Sequence, residues 1–93
     1  MEKTKVIFRK YPDGDIIAIF PEEPGDSNKS TCLSYMHMGQ HSACDPYLVI
    51  SETFPASSEE YKDLRNELEV SVGYDLEVYA RYTINHVKAR NEK

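Results

Sequence analysis

The stretch CLSYMHMGQHSAC, residues 32–44, contains both cysteines of the chain, two of its three histidines and two of its three methionines. Cys32, His37, His41 and Cys44 together offer two thiolates and two imidazoles, a donor set suited to tetrahedral zinc. Their spacing counts against it. Structural zinc sites pair short Cys-x-x-Cys knuckles with a second pair distant in the chain, whereas these four fall in one strand and its exit loop. Cys32 and His37, five apart, project to opposite faces of an extended strand, so all four converge only if a turn or bulge intervenes. The expectation is a chain without metal or cofactor, in which Cys32 packs as a small hydrophobe.

Nucleophilic catalysis is a second chemistry for the same residues. Cys44 lies near His41 and Asp45, in name a thiol, a base and an orienting carboxylate. Functional Cys-His pairs converge from separate elements that hold them rigidly, and three near neighbours in a loop do not meet that requirement. A binding role needs neither unusual spacing nor an activated group. Ser34, Tyr35, His37, Gln40, His41 and Ser42 set short donors and acceptors beside an aromatic ring, the kind of group that orients a ligand at the end of a sheet. Tyr35, His37, Gln40 and His41 are the expected ligand contacts, and no residue is assigned a catalytic or metal-binding role.

Elsewhere the chain is plainer. It has no glycine-rich phosphate loop, no H-E-x-x-H and no basic-aromatic RNA-binding pattern. Lys and Arg number 11 against 16 Asp and Glu, a formal charge of −5, which disfavours nucleic acid as a partner. No apolar run approaches the ~20 residues of a membrane span, and MEKTKVIFRK lacks a secretory apolar region, so a cytoplasmic location with reduced thiols is expected.

The elements that must position the strip follow from periodicity. KVIFRKYPDGDIIAIF reads as a β-hairpin around Tyr11-Pro12-Asp13-Gly14, with Val6 and Phe8 on one side of the first strand and Ile7 on the other. Residues 21–31 read as an exposed loop, 31–38 as a third strand ended by Gly39, and YLVISETF (47–54) as a further strand or extended lead-in. Ser57 and Glu60 have capping-box spacing, and Tyr61, Leu64, Leu68 and Val72 form one apolar stripe ending at Gly73. YDLEVYARYT (74–83) alternates as a strand, and the polar segment 85–93 reads as a frayed tail.

The sum is one domain over 1–93, ordered from about residue 4 to 84, of α+β class. It is expected to be two-layered, with an antiparallel or mixed sheet of four to five strands and one helix in the order β-β-β-(β)-α-β. A helix of about 16 residues is ~24 Å long and covers one face only. Ile7, Ile17, Ile19, Met36 and Tyr79 are then left either for self-association as a homodimer or for coverage by the 21–31 loop. With VIFRKYPDGDIIAIFPEEP, CLSYMHMGQHSACD and GYDLEVYARYT in view, the chain resembles, over most of residues 5–83, a family of small bacterial and phage or mobile-element proteins of unknown function. The resemblance implies no activity, cofactor or catalytic residue. The reading is a non-catalytic module that binds a protein partner, a small ligand or its own copy, with a zinc protein or Cys-dependent enzyme built on Cys32, His37, His41 and Cys44 as the alternative.

Overall fold

The computed structural model describes residues 3–27, 30–36 and 40–93, residue 40 by its backbone alone. Strands β1 (Thr4–Lys10) and β2 (Ile16–Pro24) form the expected hairpin, with Ile7 opposite Ile19 and Arg9 opposite Ile17. Its turn closes by a bond of 2.8 Å from the Tyr11 amide to the Asp15 carbonyl, and the Asp13 carboxylate accepts from the Asp15 amide at 3.0 Å. Gly14 takes φ +100°, a conformation that side-chain-bearing residues rarely adopt. The β2 strand runs on to Pro24, with a register shift between Phe20 and Pro24, so the segment expected to be a loop begins as sheet.

Strand β3 (Cys32–Met36) pairs antiparallel with β2, and β4 (Gln40–Cys44) pairs antiparallel with β3. On the far side of β1, the short β5 (Phe54–Pro55) pairs antiparallel near Lys10, and β6 (Leu76–Val78) pairs parallel near Thr4. The mixed sheet has six strands in the order β4-β3-β2-β1-β5, with β6 also beside β1. The α+β class stands. The helix number differs from the expected one, because α1 (Pro46–Glu52), α2 (Ser58–Asn66) and α3 (Ile84–Asn91) are present and cover both faces.

The first face carries Val6, Phe8, Ala18, Phe20 and Tyr35 beneath Leu64 and Leu68. Here the capping box forms in full: Ser57 Oγ accepts from the Glu60 amide and Glu60 Oε1 accepts from the Ser57 amide. Phe8 and Tyr61 stack at 4.2 Å. The helix passes at Glu67–Val72 into a π-helical stretch that closes with the Gly73 amide on the Leu68 carbonyl at 2.9 Å, a five-residue step. That wider turn rotates Val72 off the stripe predicted for it, leaving it 43% exposed, while Leu68 stays fully buried.

The second face carries Ile7, Ile17, Ile19 and Cys32, all at most 4% exposed. It is not open: Val49 of α1 and the segment leading into α3 pack on it, and none of the described residues of the 21–31 loop belongs to that cluster. The region predicted as strand over 47–54 is helix because Asp45 caps it, its carboxylate accepting from the Tyr47 and Leu48 amides, with Pro46 at the first helical position. The other end of α1 is held by Arg9. Its guanidinium donates to the Thr53 hydroxyl at 2.9 Å and to the carbonyls of Ile50 and Thr53 at 3.1 and 2.8 Å. A cation on helix-terminal carbonyls is favourable, and here it also fixes α1 to β1.

The segment expected to fray is α3. Arg90, 2% exposed, donates to the Pro21 carbonyl at 2.8 Å and to the Tyr82 hydroxyl at 3.0 Å. Buried His86 sets Nδ1 3.0 Å from a Glu22 carboxylate oxygen and Nε2 3.2 Å from the Arg81 carbonyl, which accepts its proton. These groups look polar in sequence and are interior anchors in space. Among the described residues no helix is long and apolar enough to cross a membrane.

Two outcomes follow. Arg90→Met keeps the apolar stem but removes both donations, and is expected to lower the unfolding free energy by about 1.5–3 kcal/mol in urea denaturation. A loss below about 0.5 kcal/mol would mean that α3 is not docked. The second concerns acid. The hydrogen bond from Lys10, with the Ser57 donors, holds the Glu60 carboxyl down to about 2 from its ordinary 4.5. A depressed folded-state value contributes stability above the ordinary value and loses it as pH falls through the folded one. Glu60→Gln should therefore flatten the decline in stability between about pH 4.5 and 2, measured by denaturation across that range.

Candidate functional site

The polar exit loop predicted after Gly39 is a strand. Because β4 folds back on β3, residues far apart in an extended reading become direct neighbours: Tyr35 faces His41, Ser34 faces Ser42 and Cys32 faces Cys44. Alternation then sorts them by face, with Tyr35 and His41 on the α2 side and the serine and cysteine pairs on the α1 and α3 side.

On the α2 side the Tyr35 and His41 rings meet edge to face at 4.7 Å. His41 Nε2 lies 3.0 Å from the Tyr74 hydroxyl, and Tyr74 stacks on Phe20 at 4.9 Å. The Tyr35 hydroxyl donates to the Glu67 carboxylate. Glu67 opens the π-helical stretch and Tyr74 follows its left-handed Gly73, so residues at both ends of that stretch reach the strip. Partial burial pushes the Tyr74 hydroxyl above its usual value.

Of the four expected ligand contacts, Tyr35 and His41 come together, and of these two only His41 is accessible. His41 is exposed, while Tyr35 is 2% exposed and serves as a core residue whose hydroxyl reaches a carboxylate. Gln40 pairs through its backbone with Met36, and its side chain, like the whole of His37, lies outside the described residues. Sequence reasoning missed Glu67 and Tyr74. Glu67 sits beside the apolar stripe and Tyr74 at the edge of a predicted strand, so neither carried a local signal.

On the opposite side the Cys32 and Cys44 sulfurs are 3.6 Å apart. Ser34 Oγ donates to the Ser42 carbonyl at 2.9 Å and lies 3.2 Å from Ser42 Oγ. Cys32 is fully buried and Cys44 half-buried. Their shared hydrogen bond raises the Cys32 thiol and lowers the Cys44 thiol; burial adds to the first and opposes the second, and the Ser34 hydroxyl further favours the Cys44 thiolate. Both sulfurs also feel the Arg90 cation.

The catalytic arrangement of Cys44, His41 and Asp45 does not form. His41 projects to the opposite face from Cys44, and Asp45 is engaged in capping α1. Of the zinc set, the two cysteines meet, His41 is turned away to Tyr74, and His37 lies outside the described residues. Among the described residues no three or more His, Cys, Asp or Glu side chains gather as metal ligands.

No protein-family model, curated protein or solved structure matches the chain.

Tyr35→Phe tests the strip's internal order. Removing the hydroxyl takes that donor from the half-buried Glu67 carboxylate while leaving the ring stack in place, at an expected cost of about 1–2 kcal/mol in urea denaturation. A neutral result would show that Glu67 does not depend on that bond.

Proposed function

We propose that the chain is a small non-catalytic protein-interaction module whose contact element is the outer edge of β4, and that its partner strand is β4 of a second copy. The observation carrying this reading is the composition of that edge. Strand β4 ends the sheet, with no further strand beside it among the described residues. Edge strands of monomeric proteins are guarded against pairing by Lys, Pro, bulges or inward charges, and Gln40–Cys44 has no charged residue and no proline.

The hydrogen-bond phase supports it. The bond from Tyr11 to Asp15 marks the hydrogen-bonded rows of the β1–β2 ladder, and in antiparallel pairing these rows alternate from strand to strand. Counting across the registers aims the backbone groups of residues 40, 42 and 44 at β3 and those of His41 and Ala43 outward. Two copies related by a two-fold axis through Ser42 would then set His41 of each opposite Ala43 of the other, a self-complementary row. The sheet face once expected to mediate self-association is covered within the chain, so the edge takes over that role.

The alternative of a zinc protein or cysteine enzyme gains only the cysteine pair. A mobile-element origin would be compatible with a small accessory or regulatory protein, and an interaction module fits that description.

Sedimentation velocity up to millimolar concentration is expected to show a monomer-dimer equilibrium. Ala43→Pro removes an outward amide and leaves the bonds to β3, so it should yield a folded monomer. A wild-type chain that stays monomeric throughout, or a folded Ala43→Pro that dimerises as the wild type does, would overturn the reading.

A further inference from the structure

We propose that Cys32 and Cys44 form a thiol-disulfide exchange site that accepts a low-molecular-weight disulfide, with Cys44 attacking first and Cys32 resolving the mixed disulfide. The inference does not depend on strand pairing at β4. Its basis is geometric: the two residues are direct partners in the β3–β4 ladder, and their sulfurs stand 3.6 Å apart on one face. That separation places one thiol within reach of a disulfide formed on the other.

The two cysteines are not equivalent. Cys32 is fully buried, whereas Cys44 is half-buried on the edge strand, so an incoming reagent meets Cys44 first. A cleft of about 360 Å³ is lined by Thr31 and Asp45, the sequence neighbours of Cys32 and Cys44, and by Tyr47 and Arg90. The nucleophile in exchange is the thiolate. The hydrogen bond from Cys32 is the largest influence on Cys44 and favours its charge, as do the Ser34 hydroxyl and the Arg90 cation, against the opposing effects of burial and the Asp45 carboxylate. The same shared hydrogen bond is the largest influence keeping Cys32 protonated, and it is lost once Cys44 is bonded to the reagent.

In the first step the Cys44 thiolate attacks one sulfur of RSSR. A bond forms between Cys44 and that sulfur, the S–S bond of the reagent breaks, and RS⁻ leaves and takes up the proton that Cys44 released. In the second step the Cys32 sulfur attacks Cys44 Sγ, the mixed disulfide breaks, and the second RS⁻ leaves with the Cys32 proton. Overall the protein dithiol is oxidised by two electrons and RSSR is reduced to two RSH. Directly opposed ladder residues hold their Cβ atoms ~4.5–5.5 Å apart, wider than the ~3.8 Å typical of a disulfide. Closure must draw β3 and β4 together, which favours an exchange that excess thiol reverses.

The test uses the full chain and glutathione disulfide as the probe, with intact-mass and peptide mapping after acid quench. The wild type is expected to lose two hydrogens, to link Cys32 to Cys44, to retain no glutathione, and to return to the dithiol with excess reduced glutathione. Cys32→Ser should stop at one glutathione on Cys44, and Cys44→Ser should slow the loss of the remaining thiol by about tenfold or more. Persistence of the glutathione adduct on the wild type, or absence of reaction in the folded wild type, would overturn the proposal. So would equal reaction rates for the two variants.

Discussion

The central constraint is that β1 and β2 are apolar on both faces. Ile7, Ile17 and Ile19 point one way and Val6, Phe8, Ala18 and Phe20 the other, and every one of these is at most 4% exposed. Burying only one face would leave a contiguous apolar surface in water, at a cost that grows with its area. Both faces therefore need covers, and a chain of 93 residues has little length with which to build them. The α2 helix and its π-helical continuation serve one face, while the short α1 and the C-terminal α3 serve the other.

Short helices are marginal alone, since nucleation is costly and few turns share that cost. Polar anchors therefore help to hold α1 and α3 in place. Asp45 satisfies amides at the start of α1 and Arg9 satisfies carbonyls at its end, so the helix is held from both sides and tied to β1. Arg90 and His86 do comparable work for α3 by reaching Pro21, Tyr82, Glu22 and the Arg81 carbonyl. A buried guanidinium without such partners would be strongly destabilising, so these bonds are a condition of the docked helix. Gly25 shows how closely the chain is drawn in near the β3–β4 end: a Cβ there would lie 2.7 Å from Ala43 Cβ and from the Cys32 carbonyl oxygen.

Legibility in the sequence depended on whether a signal was local. The hairpin around Pro12-Asp13-Gly14 and the Ser57/Glu60 cap rest on residues a few positions apart, and both were readable. Helix α1 was misread because Leu48, Val49 and Ile50 suggest a strand, and that preference yields to the cap at Asp45, the proline at position 46 and the anchor from Arg9, 41 positions from Ile50. Strand β4 was misread because QHSAC has no apolar alternation, since it is an edge strand whose residues His41, Ser42 and Ala43 are all exposed. The tail was misread because His86 and Arg90 count as polar until their partners are known. At the candidate site the β3–β4 register brings Tyr35 and His41 together, but the burial of Tyr35 and the arrival of Glu67 and Tyr74 depend on the packing of α2.

By itself the sequence determined the α+β class, the central hairpin and the start of the capped helix, because these follow from turn chemistry and periodicity within a few residues. Tertiary structure alone decided which segments close the second face and which side chains in residues 32–44 meet. The reason is the reversal of the chain between β3 and β4. It makes sequence separation a poor guide to distance, setting Cys32 against Cys44, while alternation along β4 turns His41, only three residues from Cys44, to the other side of the sheet.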